Sequence, residues 1–168
     1  CFKKDFFTNR SIDAFKFPSI NIKKKPILKD ILLLKPEKKY MLSDKLWKYL
    51  QDYAQIQKQR GNGFRYGLNT KKDVSRTMSA RYYKDGAEIL IKESYWKNPR
   101  RLLPLEARNL MGFEKRYSDF FDHKRGFPQV VSDMQAYKQF GNAVVPKIIE
   151  IIGKEIIKVI KKNDRYSY

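Results

Sequence analysis

QAYKQFGNAVVPKIIEII, residues 135–152, sets a polar, glycine-containing segment directly against an apolar run that ends near Ile160. Val145, Ile148, Ile149, Ile152, Ile156, Val159 and Ile160 recur at helical spacing, with Lys147, Glu150, Lys154, Glu155, Lys158 and Lys161 mostly between them. That pattern predicts an amphipathic helix packed on a core. Pro146 falls in its first turn, where a missing N–H costs least. In front of it Gln139, Gly141 and Asn142 are expected to form a turn. A glycine there admits close approach by another backbone, and Asn142 is a candidate N-cap.

The remainder of the chain bounds the partner. Its 168 residues hold 37 Lys and Arg against 18 Asp and Glu, a formal charge of +19. Such an excess on a chain this short favours a polyanion, nucleic acid first. With 42% apolar residues, 11 Tyr and 11 Phe, global disorder is not expected. Cys1 stands alone, which excludes an internal disulfide and any cysteine-based zinc cluster. A reducing cytoplasm fits. No apolar run is long enough for a membrane span and no signal pattern opens the chain, so no membrane partner is expected. Cys1 in place of an initiating Met suggests a piece of something longer.

Taken in order, residues 1–20 carry aromatics without a clean period and read as a strand end and an irregular connection. Ile27, Leu28, Ile31, Leu32 and Leu33 predict a short helical turn stopped before Pro36. Ser43 as N-cap, Asp44 in the first turn and Gly61 at the end frame a helix marked by Leu46, Trp47, Leu50, Tyr53, Ala54 and Gln57. GNGFRYG, residues 61–67, follows as a glycine-rich loop. Val74–Ser79 and Ala87–Ile91 read as strands joined by RYYKDG, whose Asp85-Gly86 pair signals a β-hairpin. Arg76, Arg81 and Lys84 interleaved with Tyr82 and Tyr83 suit contacts to phosphates and base edges, or simply an exposed basic hairpin. RRLLPLEARNLMGF, residues 100–113, predicts a short helix with Pro104 at its first position and Gly112 at its close. Residues 114–131 read as a long loop in which His123, the lone histidine, has a surface role.

Three of these stretches, in this order, resemble the cytosine-5 DNA methyltransferases. QAYKQFGNAVVP resembles the family's last motif, Q-x-G-N-S-V, with Ala143 in place of the usual serine. RRLLPLEARNLMGF resembles the penultimate motif at Arg100, Leu102, Pro104, Glu106, Met111, Gly112 and Phe113. Leu103 replaces a capping Thr, so the helix start is expected to fray, and Leu105 replaces an arginine. The region from about Tyr40 to Lys92 is similar to the bacterial target-recognition region, and CFKKDFFTNRSIDAFKFP to the segment after the eighth motif.

The resemblance implies an α+β fragment: a small target-recognition domain with β-hairpins, plus a C-terminal helix that completes a Rossmann-like methyltransferase lobe. It implies residues 1–35 as a connection from the catalytic lobe, 36–134 as the target-recognition domain and 135–168 as part of the catalytic lobe. By position it implies Asn62, Arg65, Thr77 and Arg81 as DNA-binding residues, with Asn62 matching the residue that fills the hole left by a flipped cytosine; Tyr66 and Arg76, beside them in the loop and the expected hairpin, complete the candidate DNA-binding set. Asn142, Ala143 and Val144 would touch S-adenosylmethionine, while Arg100, Glu106, Gly112, Gln139 and Gly141 would be structural. The glycine-rich first motif, the Pro-Cys nucleophile and the Glu-Asn-Val segment do not occur here. No catalytic residue is therefore expected in this chain, and double-stranded DNA plus an N-terminal catalytic part or complementary subunit are the implied partners. The resemblance extends to enzymes of restriction-modification that modify short CC-containing sites, CCGG or CCWGG. Two other readings stand beside it, a non-catalytic DNA-binding remnant and an RNA-binding domain.

Overall fold

A computed structural model describes residues 15–19, 25–113 and 129–164. The chain divides into two compact units, one made of residues 24–143 and the other of residues 1–23 with 144–168. The sequence placed these divisions at 35/36 and 134/135. Of residues 1–20, expected to hold a strand end and an irregular connection, all but 15–19 lie outside the described residues, as do most of the 114–131 loop and His123.

The larger unit begins with a single 3-10 turn, Leu28–Asp30, whose Leu28 and Lys29 amides donate to the carbonyls of Asp73 and Lys71. A second 3-10 turn, Lys38–Tyr40, leads to helix α1, Asp44–Gln59. The Ser43 hydroxyl accepts from the Leu46 amide at 3.2 Å, and Gly61 follows the helix at φ 72°. Both ends sit where the local chemistry dictates: a hydroxyl supplies an orphan amide with its acceptor, and a glycine takes the left-handed turn.

Strand β1, Leu68–Asn69, runs parallel to β2, Leu90–Ile91, which pairs antiparallel with β3, Arg100–Arg101. Leu68 faces Leu90 in the register, and Ile91 faces Arg100. The expected hairpin does not form. Residues 74–79 are irregular, and Tyr82–Asp85 make one helical turn, α2, closed by Gly86 at φ 65°. Asp85-Gly86 thus serves as a helix end, because a left-handed glycine suits a C-cap as well as a hairpin turn.

Helix α3, Pro104–Leu110, starts at its proline and is followed by Gly112 at φ 79°. Leu103 has no capping oxygen, yet its own amide donates to Glu106 Oε2 at 2.8 Å, so the carboxylate fixes the helix entry. Helix α4, Asp133–Asn142, replaces the turn expected at 139–142. Ser132 caps it, and Ala136, Tyr137 and Phe140 form its buried face. Asn142 is the last residue of α4 and therefore does not cap the helix that follows. In the smaller unit that helix, α5, runs from Pro146 to Asp164 and leaves Ile148, Ile149 and Ile157 exposed.

The core of the larger unit joins Leu42, Leu50, Ala87 and Leu90, flanked by Leu46, Trp47, Phe64 and Tyr66. Beside it, Tyr82 and Tyr137 meet edge-on at 5.2 Å between ring centroids. The Tyr82 hydroxyl donates to the Ile89 carbonyl and accepts from the Leu102 amide, each at 2.8 Å. Tyr82→Phe strands a buried N–H and is expected to cost about 1–3 kcal/mol. A urea titration giving an unchanged midpoint would contradict that role.

Candidate nucleic-acid interface

The loop after α1 and the α1 helix itself enclose a cleft of about 620 Å³ lined by residues that include Gln51, Gln55, Lys58, Asn62, Arg65 and Tyr66. The Asn62 carboxamide donates to Gln57 Oε1 at 2.6 Å, and Gln57 is itself buried. This bond ties the tip of the loop to the helix. Tyr66 packs edge-on against Trp47 at 4.9 Å, so its ring belongs to the core as much as to the cleft.

A second cleft, about 520 Å³, adjoins the first and shares Gly63, Phe64 and Arg65 with it. Arg81 and Lys84 line its far side, and Tyr49 and Tyr53, stacked at 5.8 Å, form an aromatic wall. Arg65 is thus common to both. The two carboxylates nearby are engaged by backbone: Asp85 Oδ1 accepts from the Ala87 amide, and Glu88 accepts from the amide and hydroxyl of Ser79. The Ser79 hydroxyl in turn accepts from the Arg81 amide at 3.1 Å, which fixes the turn that carries Arg81.

Arg76 and Thr77 line neither cleft. They are exposed on the irregular segment before α2, which buried Met78 pins to the unit. Four of the six candidate DNA-binding residues therefore line the two adjoining clefts, and two stand outside them. Sequence reasoning missed Gln51, Gln55 and Lys58. Their spacing on α1 was a usable signal, but the helix had been assigned to packing alone.

The same unit holds a buried ionic cluster. Arg100, fully buried, donates to Glu106 Oε2 at 2.7 Å and Oε1 at 3.0 Å, and through Nε to Glu93 Oε1 at 3.0 Å. Lys71 Nζ reaches the other Glu93 oxygen at 3.3 Å, and Glu106 also accepts from the Leu33 amide at 2.9 Å. Burial pulls the Arg100 pKa down, but the Glu106 and Glu93 carboxylates outweigh it and hold the guanidinium above its ordinary value. A value raised by folding contributes stability that is lost only as pH rises through that raised value. The guanidinium therefore keeps its charge across the whole ordinary pH range.

Gly141 lies against the Ser79–Ala80 backbone so closely that a Cβ there would come within 2.6 Å of the Ala80 nitrogen. Gln139 is exposed on α4, and Gly112 donates its amide to the Asn109 carbonyl. Asn142 is exposed at the end of α4, Ala143 is extended at ψ 153°, and Val144 is 60% exposed. Among the described residues no group of three or more acidic, histidine or cysteine side chains could hold a metal, and no helix is long and apolar enough to cross a membrane.

The larger unit of this strongly basic α+β chain thus carries two adjoining clefts lined in part by Lys58, Arg65, Arg81 and Lys84. The model of the C-5 cytosine-specific DNA methylases matches residues 1–158, and the chain belongs to that family. It is 42% identical over 151 residues to the type II methyltransferase M.NlaX of Neisseria lactamica, covering 89% of this chain and 44% of that protein. With M.SsoII of Shigella sonnei the identity is 43% over 152 residues, covering 90% and 37%. The chain thus spans less than half the length of these relatives. Its fold is shared with the S. pombe Dnmt2 methyltransferase at a TM-score of 0.55 and 16% identity, over 86% of this chain and 44% of that one.

Proposed function

We propose that this chain supplies DNA grip and target choice to a cytosine-5 DNA methyltransferase of restriction-modification, together with one wall of its S-adenosylmethionine site. The observation that carries the reading is the convergence of Asn62, Arg65 and Arg81 on two adjoining clefts in an otherwise strongly basic chain. Guanidinium forks can meet guanine edges or phosphates, and a side-chain amide can meet a base. The glycine-rich loop brings backbone close to a duplex. Residues 36–134 then form the recognition domain, and α5 completes a methyltransferase lobe.

The cofactor would supply the methyl group when bound. Asn142, Ala143 and Val144 fit a contact with it, since Asn142 and Val144 are exposed and Ala143 between them is extended. Catalysis requires a thiolate nucleophile that attacks the base. The motif that would supply it does not occur here, so the upstream part of the same polypeptide or a separate subunit provides it.

Two measurements test the reading. The chain combined with its catalytic part should transfer methyl groups from S-adenosylmethionine to C5 of cytosine in a short duplex site, CCGG or CCWGG, and the chain alone should transfer none. In binding assays Arg65→Ala and Arg81→Ala should each relax sequence preference by about 1–3 kcal/mol where the contact is bidentate to a base. Affinity should fall steeply with salt as counterions are released. A flat salt profile, or stronger binding to single-stranded RNA than to duplex DNA, would sink it.

A further inference from the structure

The exposed face of α1 is not explained by packing. Lys48, Gln51, Gln55 and Lys58 are spaced three, four and three residues apart, which brings them onto one stripe of the helix, and all four are exposed. The apolar side of the same helix is accounted for by Leu46, Trp47 and Leu50 in the core. Asp52 stands on the flank of the stripe, and no acidic residue lies within it. Two amides bracketed by two lysines follow the chemistry of a groove reader: cations at the ends bind phosphates and fix the register, and amides in the middle meet base edges. An α-helix also has the diameter that the major groove admits.

A second observation is independent of the spacing. Gln51, Gln55 and Lys58 line the same cleft as Asn62 and Arg65, and the buried Gln57 carboxamide holds Asn62 to the helix. Stripe and loop are thus parts of one surface with a fixed relative placement. The glutamine carboxamide sets an acceptor oxygen beside an N–H donor, the complement of the N6 donor and N7 acceptor that adenine presents in the major groove.

We infer that the Lys48–Gln51–Gln55–Lys58 stripe of α1 is a second base-reading element, taking the central A·T pair of a CCWGG site, which CCGG lacks, with Gln51 and Gln55 reading the base edge and Lys48 and Lys58 holding flanking phosphates. The inference rests on the proposed DNA-recognition function and names further specificity-determining residues for it.

The test is a binding titration of the chain, combined with its catalytic part, against a panel of duplexes that vary one pair at a time around the preferred site. Gln51→Ala combined with Gln55→Ala should collapse the preference at one A·T position by roughly tenfold or more while other positions keep theirs. Lys48→Ala combined with Lys58→Ala should weaken all duplexes alike and lower the salt slope by about two. All four residues are exposed, and thermal melts matching the parent's will show that the variants fold. If the parent discriminates among duplexes and the glutamine variant discriminates equally well, the stripe reads nothing and the inference falls alone. If the parent binds no duplex, the proposed function falls and takes the inference with it.

Discussion

Arg100→Met is expected to unfold the larger unit under mild conditions, at a cost of about 3–5 kcal/mol. The guanidinium neutralises two carboxylates that are all but removed from water, Glu106 at 0% and Glu93 at 2% exposure. Lys71, 45% exposed, partners only the outer Glu93 oxygen and cannot compensate Glu106. Deleting the cation leaves buried anions, which is far costlier than never having built the pair. The cluster also carries connections. Through Glu106 it holds the Leu33 amide and the entry of α3, and through Glu93 the strand end after β2. Arg100→Lys should restore little, since an ammonium cannot reproduce the fork that spans both carboxylates. The decisive comparison is the double variant Arg100→Met with Glu106→Gln. Removing charge from both sides should recover part of the loss in urea titrations. A double variant no more stable than Arg100→Met alone would show that the charge imbalance is not the source of the cost.

This cluster marks where the sequence stops being readable. Arg100 and Glu106 were picked out only because they match a family motif, and nothing local says that a salt pair six residues apart lies wholly inside. Glu93, Lys71 and Leu33 join it through folding, with Leu33 and Glu106 separated by 73 positions. By contrast α1, α3 and α5 were legible, because Ser43, Gly61, Pro104, Gly112 and Pro146 act within a few residues of themselves. The strands are two residues long and owe their pairing to tertiary placement, so no alternation could reveal them. Asp85-Gly86 misled for a physical reason, as one glycine conformation serves both hairpins and helix ends. Helix α4 was missed because Gly141 and Asn142, read as a turn, form its last two residues, though Ser132, Ala136, Tyr137 and Phe140 carried its cap and its buried face. At the candidate site, Asn62 and Arg65 stood out in their glycine-rich loop, whereas the nearness of Arg65 to Arg81 is a property of the fold.

Two glycines in helices separate propensity from packing, and they should respond with opposite signs. In Gly153 of α5 an added Cβ meets nothing within 4 Å, so Gly153→Ala should stabilise by up to about 1 kcal/mol through helix propensity alone. Gly141→Ala gains the same term and loses more. Its Cβ would drive into the Ser79 carbonyl and the Ala80 amide, main-chain atoms that cannot swing aside as a side chain can. Either α4 lifts or the Ser79–Ala80 backbone shifts, at a net cost of about 3 kcal/mol. Lifting α4 loosens the Tyr82–Tyr137 contact, and shifting Ser79 breaks its bonds to Glu88 and frees the turn that carries Arg81. The substitution should therefore lower both the melting temperature and the discrimination among duplexes, although Gly141 lies in the last family motif and not in the recognition region. Melting curves for the two alanine variants, followed by the duplex titration on Gly141→Ala below its transition, measure both effects. A Gly141→Ala protein as stable as the parent would mean that α4 does not rest on the Ser79–Ala80 backbone. An unstable one that still discriminates fully would confine the glycine's role to folding.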